Sequence, residues 1–125
     1  MNLKPLIWRD GMNIKRGGVY LAALDPTIGR EIAKTRPVLV ISNDKNNTFS
    51  GTITVLPITS KNVKKTYPFE GVLPKGKGNL PKKSKIKADQ VRTLDKRRLI
   101  KSIGELSEED MFSVEKAIKI HLDLI

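Results

Sequence analysis

Cysteine is absent from the 125-residue chain, which excludes a disulfide framework and a thiolate metal site and fits a reducing cytoplasm. Histidine occurs once, as His121, so a paired-histidine acid–base mechanism is unavailable and a Ser-His-Asp relay lacks partners beside it. Aromatic residues make up only 5% of the chain, too few for a surface that works by stacking many rings. No Asp, Glu or His group has metal-ligand spacing, so no metal is expected. No glycine-rich turn links a strand to a helix in the manner of a nucleotide cradle, and no cofactor is expected. Apolar runs stay far short of the roughly 18 residues of a membrane span. Leu6-Ile7-Trp8, followed at once by Arg9-Asp10, is too short an apolar core for a secretion signal.

What the chain has in excess is positive charge. The net charge is +11, and its distribution is uneven. Residues 61–101 hold 14 Lys and Arg against three acids (Glu70, Asp89 and Asp95), which accounts for the whole excess. The last 24 residues oppose it, with two lysines and six acids. A localised basic surface is the footprint of a polyanion binder, although a solvated lysine-rich loop would read the same way.

The length fits one domain, expected over residues 14–125, preceded by an extension over residues 1–13. Met12 is an alternative translation start, which would leave the extension as a loose arm anchored by Trp8. The clearest element lies in Thr35-Arg36-Pro37-Val38-Leu39-Val40-Ile41-Ser42-Asn43. Four consecutive apolar residues, three of them β-branched, predict a strand buried on both faces, with Arg36 at its mouth. Before it, residues 19–24 predict a strand that Asp25-Pro26 and Gly29 end in a turn. After it, residues 43–50 read as a polar loop. Residues 52–58 read as a half-buried strand whose Pro57 marks an edge or bulge. Residues 67–73 predict a short strand, 74–85 a flexible basic loop or hairpin, and 86–94 a further strand. Residues 95–99 predict a turn or short helix, and 100–106 a last strand. Ser107, followed by three acids, predicts a helix start, and Met111, Val114, Ile118, Leu122 and Ile125 give that helix one apolar face. The fold class is therefore mainly β with a C-terminal α-helix, arranged as a small barrel or curled sheet.

The groups left for chemistry are Arg, Thr, Ser, Gln and a cationic field. Such a set cleaves a phosphodiester only when the substrate carries its own nucleophile, as RNA does in its 2′-hydroxyl. The protein then aligns the phosphate and neutralises charge growing on its oxygens.

Five blocks resemble the MazF/PemK toxins: Arg16-Gly17-x-Val19-Tyr20; Leu24-Asp25-Pro26-Thr27-x-Gly29-x-Glu31; the Thr35-to-Asn43 stretch; Pro57-Ile58-Thr59-Ser60; and Asp89-Gln90-Val91-Arg92-Thr93-Leu94-Asp95-Lys96-x-Arg98-Leu99. The resemblance implies an SH3-like small β-barrel, a homodimer, and a toxin that cleaves single-stranded mRNA at a short motif without metal or cofactor. The products it implies are a 2′,3′-cyclic phosphate and a 5′-hydroxyl. It also implies an acidic antitoxin as partner and a cytoplasmic setting. Matched residue by residue, Arg36 and Thr59 become the catalytic pair. Glu31, Asn43, Ser60, Lys85, Lys87, Gln90 and Arg92 become RNA-binding candidates, and residues 29–35 a mobile loop over the RNA groove. The chain departs from the family pattern in carrying Arg30 where some members have His, and Ile32-Ala33-Lys34 where a Gln/Gly-rich loop is usual.

Each role has a plainer counterpart. Arg36 could be held by a salt bridge to Asp44 or Asp25, and Thr59 could be a strand-end β-former. Gln90 and Arg92 would contact a base edge and a phosphate, or else only pair strands and face solvent. Lys82, Lys83, Lys85 and Lys87 would supply diffuse phosphate attraction. Tyr20, Tyr67 and Phe69 either stack bases or pack. Two other functions compete: a CcdB-like toxin that poisons gyrase without catalysis, and an SH3-like nucleic-acid-binding module. The first depends on a C-terminal Trp-bearing tail, whereas the only Trp here is Trp8.

Overall fold

The computed structural model describes residues 13–124. The expected arm, save Asn13, the alternative start at Met12, and Ile125 lie outside them. Seven strands and two helices follow one another as β1 (Gly18–Ala23), β2 (Thr35–Val40), α1 (Asp44–Phe49), β3 (Thr52–Thr59), β4 (Glu70–Leu73), β5 (Ser84–Lys87), β6 (Arg92–Asp95), β7 (Leu99–Glu105) and α2 (Glu108–Leu122). Single 3₁₀ turns occupy Lys77–Asn79, Ala88–Gln90 and Lys96–Arg98. The strands form an antiparallel sheet in the order β4-β5-β3-β2-β1-β7, with β6 also paired to β3. The mainly β class with a C-terminal helix is as expected, but the sheet curls without closing. Among the described residues no ladder joins β4 to β7.

Alternation along the strands builds two cores. Leu39 packs in one with Val19, Leu56 and Ile58, under Met111, Val114 and Ala117 of α2. Val38 and Val40 pack in the other with Tyr20, Leu24, Ile53 and Val55. All three β2 residues have no exposed surface, so β2 is the doubly buried strand that its apolar run predicts.

β3 is an interior strand, and Pro57 lies opposite a bulge, one of the two settings expected for it. Val55 is paired on both sides, to Val40 of β2 and Arg92 of β6. Pro57 is tolerated because β6 pairs only as far as Val55 and β5 only from Ile58. In that interval no ladder on that side asks for its missing N–H. The run expected as one strand over 86–94 lies along β3 but is interrupted. Three residue steps along β3, from Ile58 to Val55, are matched by six on the other side, from Ile86 to Arg92. The excess forms the Ala88–Gln90 turn, an enlarged bulge of the kind that re-aims side chains.

One further expectation fails and one resolves, both for local reasons. Residues 43–50 form α1 rather than a loop. Their low helix propensity hides a capped start, in which Asn43 accepts a 2.8 Å hydrogen bond from the Asn46 N–H and Asp44 stands in the first turn. Residues 74–85 take the hairpin alternative, joining antiparallel β4 and β5, and are seated rather than flexible. Leu80 is 2% exposed in the core, Gly78 is buried at φ 60°, and Asn79 Nδ2 donates to the Ile103 carbonyl at 3.0 Å. Helix α2 starts and ends close to expectation, capped by the Ser107 hydroxyl. Its buried stripe is Met111, Val114 and Ala117, with Ile118 packed beside it, whereas Leu122 is 48% exposed at the last turn.

Candidate active site

Arg36 stands at the first turn of β2 and Thr59 at the last residue of β3. The register that opposes Val38 to Pro57 runs toward both, so they stand at the same end of neighbouring antiparallel strands, although Thr59 does not line the cavity that Arg36 does. Arg36 and Ser60 line a cavity of about 90 Å³ with Ile58, Lys82 and Ser84. Two hydroxyls and two cations around a space of that size suit a phosphate.

The guanidinium is held through one corner only. Arg36 Nε donates to the Ala33 carbonyl at 3.2 Å, and among the described residues Arg36 makes no ion pair. The expected alternative, a bridge to Asp44 or Asp25, is not what is found. Asp44 accepts from the Arg16 N–H at 2.7 Å, and Asp25 from the Thr27 hydroxyl at 3.3 Å. The two terminal nitrogens of Arg36 therefore remain for a ligand. Thr59 Oγ1 accepts the Lys61 N–H at 3.1 Å, which leaves its own proton to donate elsewhere.

The loop between β1 and β2 is latched from the segment after β5. Gln90, displaced by the bulge, accepts the Ile32 N–H at 3.2 Å and donates to the Arg30 carbonyl at 3.3 Å. Arg92 donates to the Leu24 carbonyl at 3.3 Å, and Arg98 to the carbonyls of Ala23 and Asp25. Gln90 and Arg92 thus fix the loop that leads into Arg36, a positioning role that the sequence reading did not foresee. Glu31 accepts the Ile28 N–H at 3.2 Å and closes a turn within the same loop.

Beside Thr59 lies a buried charge cluster. Lys85 is the cross-strand neighbour of Thr59. Its ammonium meets Glu70 Oε1 at 3.3 Å and the Lys65 carbonyl at 3.1 Å, and Lys87 meets Glu70 Oε2 at 2.6 Å. Burial raises the Glu70 pKa, but hydrogen bonds from Lys87, the Tyr67 N–H and Lys85 outweigh it and hold the carboxyl below its ordinary range. Burial lowers the Lys87 pKa, yet the bond to Glu70 wins and raises it. Lys85 is only 5% exposed, so it is a structural charge and not the free surface cation that the sequence led us to expect. Lys82 and Lys83, by contrast, are exposed and make no ion pair among the described residues.

Asn43 is not brought to this site. It caps α1 beyond the far end of β2, seven residues or roughly 20 Å from Arg36 at strand spacing. There it lines a separate cavity of about 450 Å³ with Arg16, Ser42, Asn46 and Thr54. Lys82 and Ser84, which complete the Arg36 cavity, carried no sequence signal beyond positive charge. Among the described residues no three His, Cys, Asp or Glu side chains gather to hold a metal ion.

The chain is similar to known proteins in sequence and fold. An endoribonuclease of Mycobacterium tuberculosis, MazF9, is 37% identical over 116 residues, spanning 89% of this chain and 98% of its own. The crystal structure of MazF from Deinococcus radiodurans superposes with a TM-score of 0.77 at 28% identity, covering 90% of this chain and 98% of that one. A MazE–MazF structure from the same organism gives 0.68 at 26% identity, covering 89% and 96%. Residues 15–122 match the family described as the PemK-like, MazF-like toxins of type II toxin–antitoxin systems, and the chain belongs to that family.

Proposed function

We propose that the protein is a toxin that cleaves single-stranded mRNA by attack of the substrate's 2′-hydroxyl, without metal, leaving a 2′,3′-cyclic phosphate and a 5′-hydroxyl. The observation that carries the reading is the Arg36 guanidinium, unpaired and anchored through Nε, at the same strand ends as Thr59. Arg36 neutralises charge growing on the phosphate oxygens and at the leaving 5′-oxygen. The Thr59 hydroxyl, oriented by the Lys61 N–H, donates to a phosphate oxygen. Ser60 and Lys82 line the cavity on the Arg36 side. Membership of a toxin–antitoxin family and a 37% identical relative named an endoribonuclease support the same chemistry.

The partner is an acidic antitoxin segment laid across the basic surface, in line with the relative solved as MazE–MazF. The working unit is a homodimer in the cytoplasm, where mRNA is found. Residues 14–125 carry the activity, in keeping with the family match over 15–122.

The test is to incubate the purified protein with a long RNA in EDTA and map the new 5′ ends. Discrete cuts are expected, with losses of about 100-fold or more in Arg36→Ala and about 10-fold or more in Thr59→Ala. Intact RNA, or cutting that requires Mg²⁺, would sink the reading.

A further inference from the structure

A second, larger cavity opens beside Thr59. It measures about 540 Å³ and is lined by Asn62, Lys64, Lys65, Tyr67, Lys85 and Lys87, with Val63. Its floor is the cluster already described, two lysines neutralised in part by the buried Glu70. Its wall is Tyr67, 44% exposed and stacked on Phe69 with the rings parallel to within 1° at 5.4 Å. The Lys65 ammonium lies 5.5 Å from the centre of the Tyr67 ring, and Lys64 on the rim makes no ion pair among the described residues.

Three features say what such a space accepts. A flat aromatic wall, pre-stacked from behind and partly open, takes a planar ring at little ordering cost. Rim ammonium groups take phosphates and exclude cations. The location is the strongest constraint. Lys85 in the floor is the direct cross-strand neighbour of Thr59, so the cavity begins about 5 Å from that residue.

We propose that this cavity is a nucleotide subsite, in which the base next to the scissile phosphate stacks on Tyr67 while Lys64 and Lys65 hold the adjoining phosphate. This rests on the ribonuclease reading and adds to it where one base of the cleavage motif is read. The Glu70–Lys85–Lys87 cluster sets the floor. Its oxygens and ammonium groups are held by one another, so only a base whose edge fits that fixed pattern sits fully down on Tyr67.

The test separates this subsite from catalysis. Single-stranded RNA carrying photoreactive 4-thiouridine and 6-thioguanosine is irradiated with the Arg36→Ala protein, and the crosslinked peptides are identified by mass spectrometry. Crosslinks at Tyr67 or at Lys64 and Lys65 are expected, and their absence overturns the subsite whether or not the protein cleaves RNA. In parallel, cut sites are mapped across a long RNA. Tyr67→Leu is expected to flatten the preference at one position beside the cut and to slow the preferred sites about 10-fold, with Tyr67→Phe close to wild type. An unchanged motif in both Tyr67→Leu and the Lys64→Ala/Lys65→Ala double variant would overturn the subsite and leave the ribonuclease standing. Loss of binding to a polyglutamate peptide in the Lys64→Ala/Lys65→Ala variant, with no RNA crosslink at Tyr67, Lys64 or Lys65 in the Arg36→Ala protein, would assign the cavity to an acidic peptide instead and equally overturn it.

Discussion

At the residue scale, the telling contrast is between a cation that is used up and one that is free. Lys85 and Lys87 share Glu70, and none of the three faces solvent freely. Arg36 is tied only at Nε. The first arrangement supports the sheet and the second waits for a ligand. Glu70 makes that support sensitive to pH. Its folded pKa lies below its ordinary value of 4.5, so its contribution is present above that value and fades as pH falls through the folded pKa. Thermal melts from pH 7 down to about pH 3 should show a loss of stability that the Glu70→Gln variant lacks. At neutral pH the same variant should be destabilised by about 3 kcal/mol, because it leaves Lys85 buried without its counter-charge. Equal acid sensitivity in both proteins would mean that other carboxylates dominate.

At the element scale, the sheet is completed by close backbone approach rather than by a closing ladder. A Cβ added at Gly104 of β7 would lie 2.5 Å from the Gly78 carbonyl oxygen, a backbone atom that cannot swing away. Gly104→Ala should therefore cost about 2 kcal/mol in urea denaturation. Gly71→Ala, whose added carbon meets Ile86 at an ordinary 3.9 Å, should be close to neutral by the same measure. Equal effects would show that the Lys77–Asn79 turn yields. These elements also mark how far the sequence could be read. Short apolar runs in β1 and β2, alternation at the start of β3 and the Ser107 cap of α2 made those elements legible, because in each the local pattern and the burial agree. The Pro57 position, the Ala88–Gln90 bulge and the seating of Leu80 depend on which strand lies opposite, and that is not written in any local window. Arg36 and Thr59 were paired as candidates through family blocks, and the strand register puts them at the same end of β2 and β3. The latch made by Gln90 was not, since only the bulge turns that side chain toward residues 30–32.

At the scale of the whole molecule, the question is how much of the basic excess can act on a polyanion. Of the cations in residues 61–101, Lys85 and Lys87 are taken by Glu70, Arg97 by Asp95 at 3.0 Å, and Lys77 by Asp110 at 3.4 Å. Lys64, Lys65, Lys82 and Lys83 are exposed, without ion pairs among the described residues, and flank the two cavities beside Thr59. A single strand that releases counterions from about four such contacts should bind with a log–log salt slope of about −2.8. Affinity of the Arg36→Ala protein for a single-stranded RNA should then fall about 50-fold between roughly 50 and 200 mM salt, by fluorescence anisotropy. Replacing Lys82 and Lys83 by Ala should shallow the slope by about 1.4 if both reach phosphate. A wild-type slope near zero would mean that the charge is only a solvated surface. A slope that ignores Lys82 and Lys83 would place the RNA wholly on the Tyr67 side of Thr59.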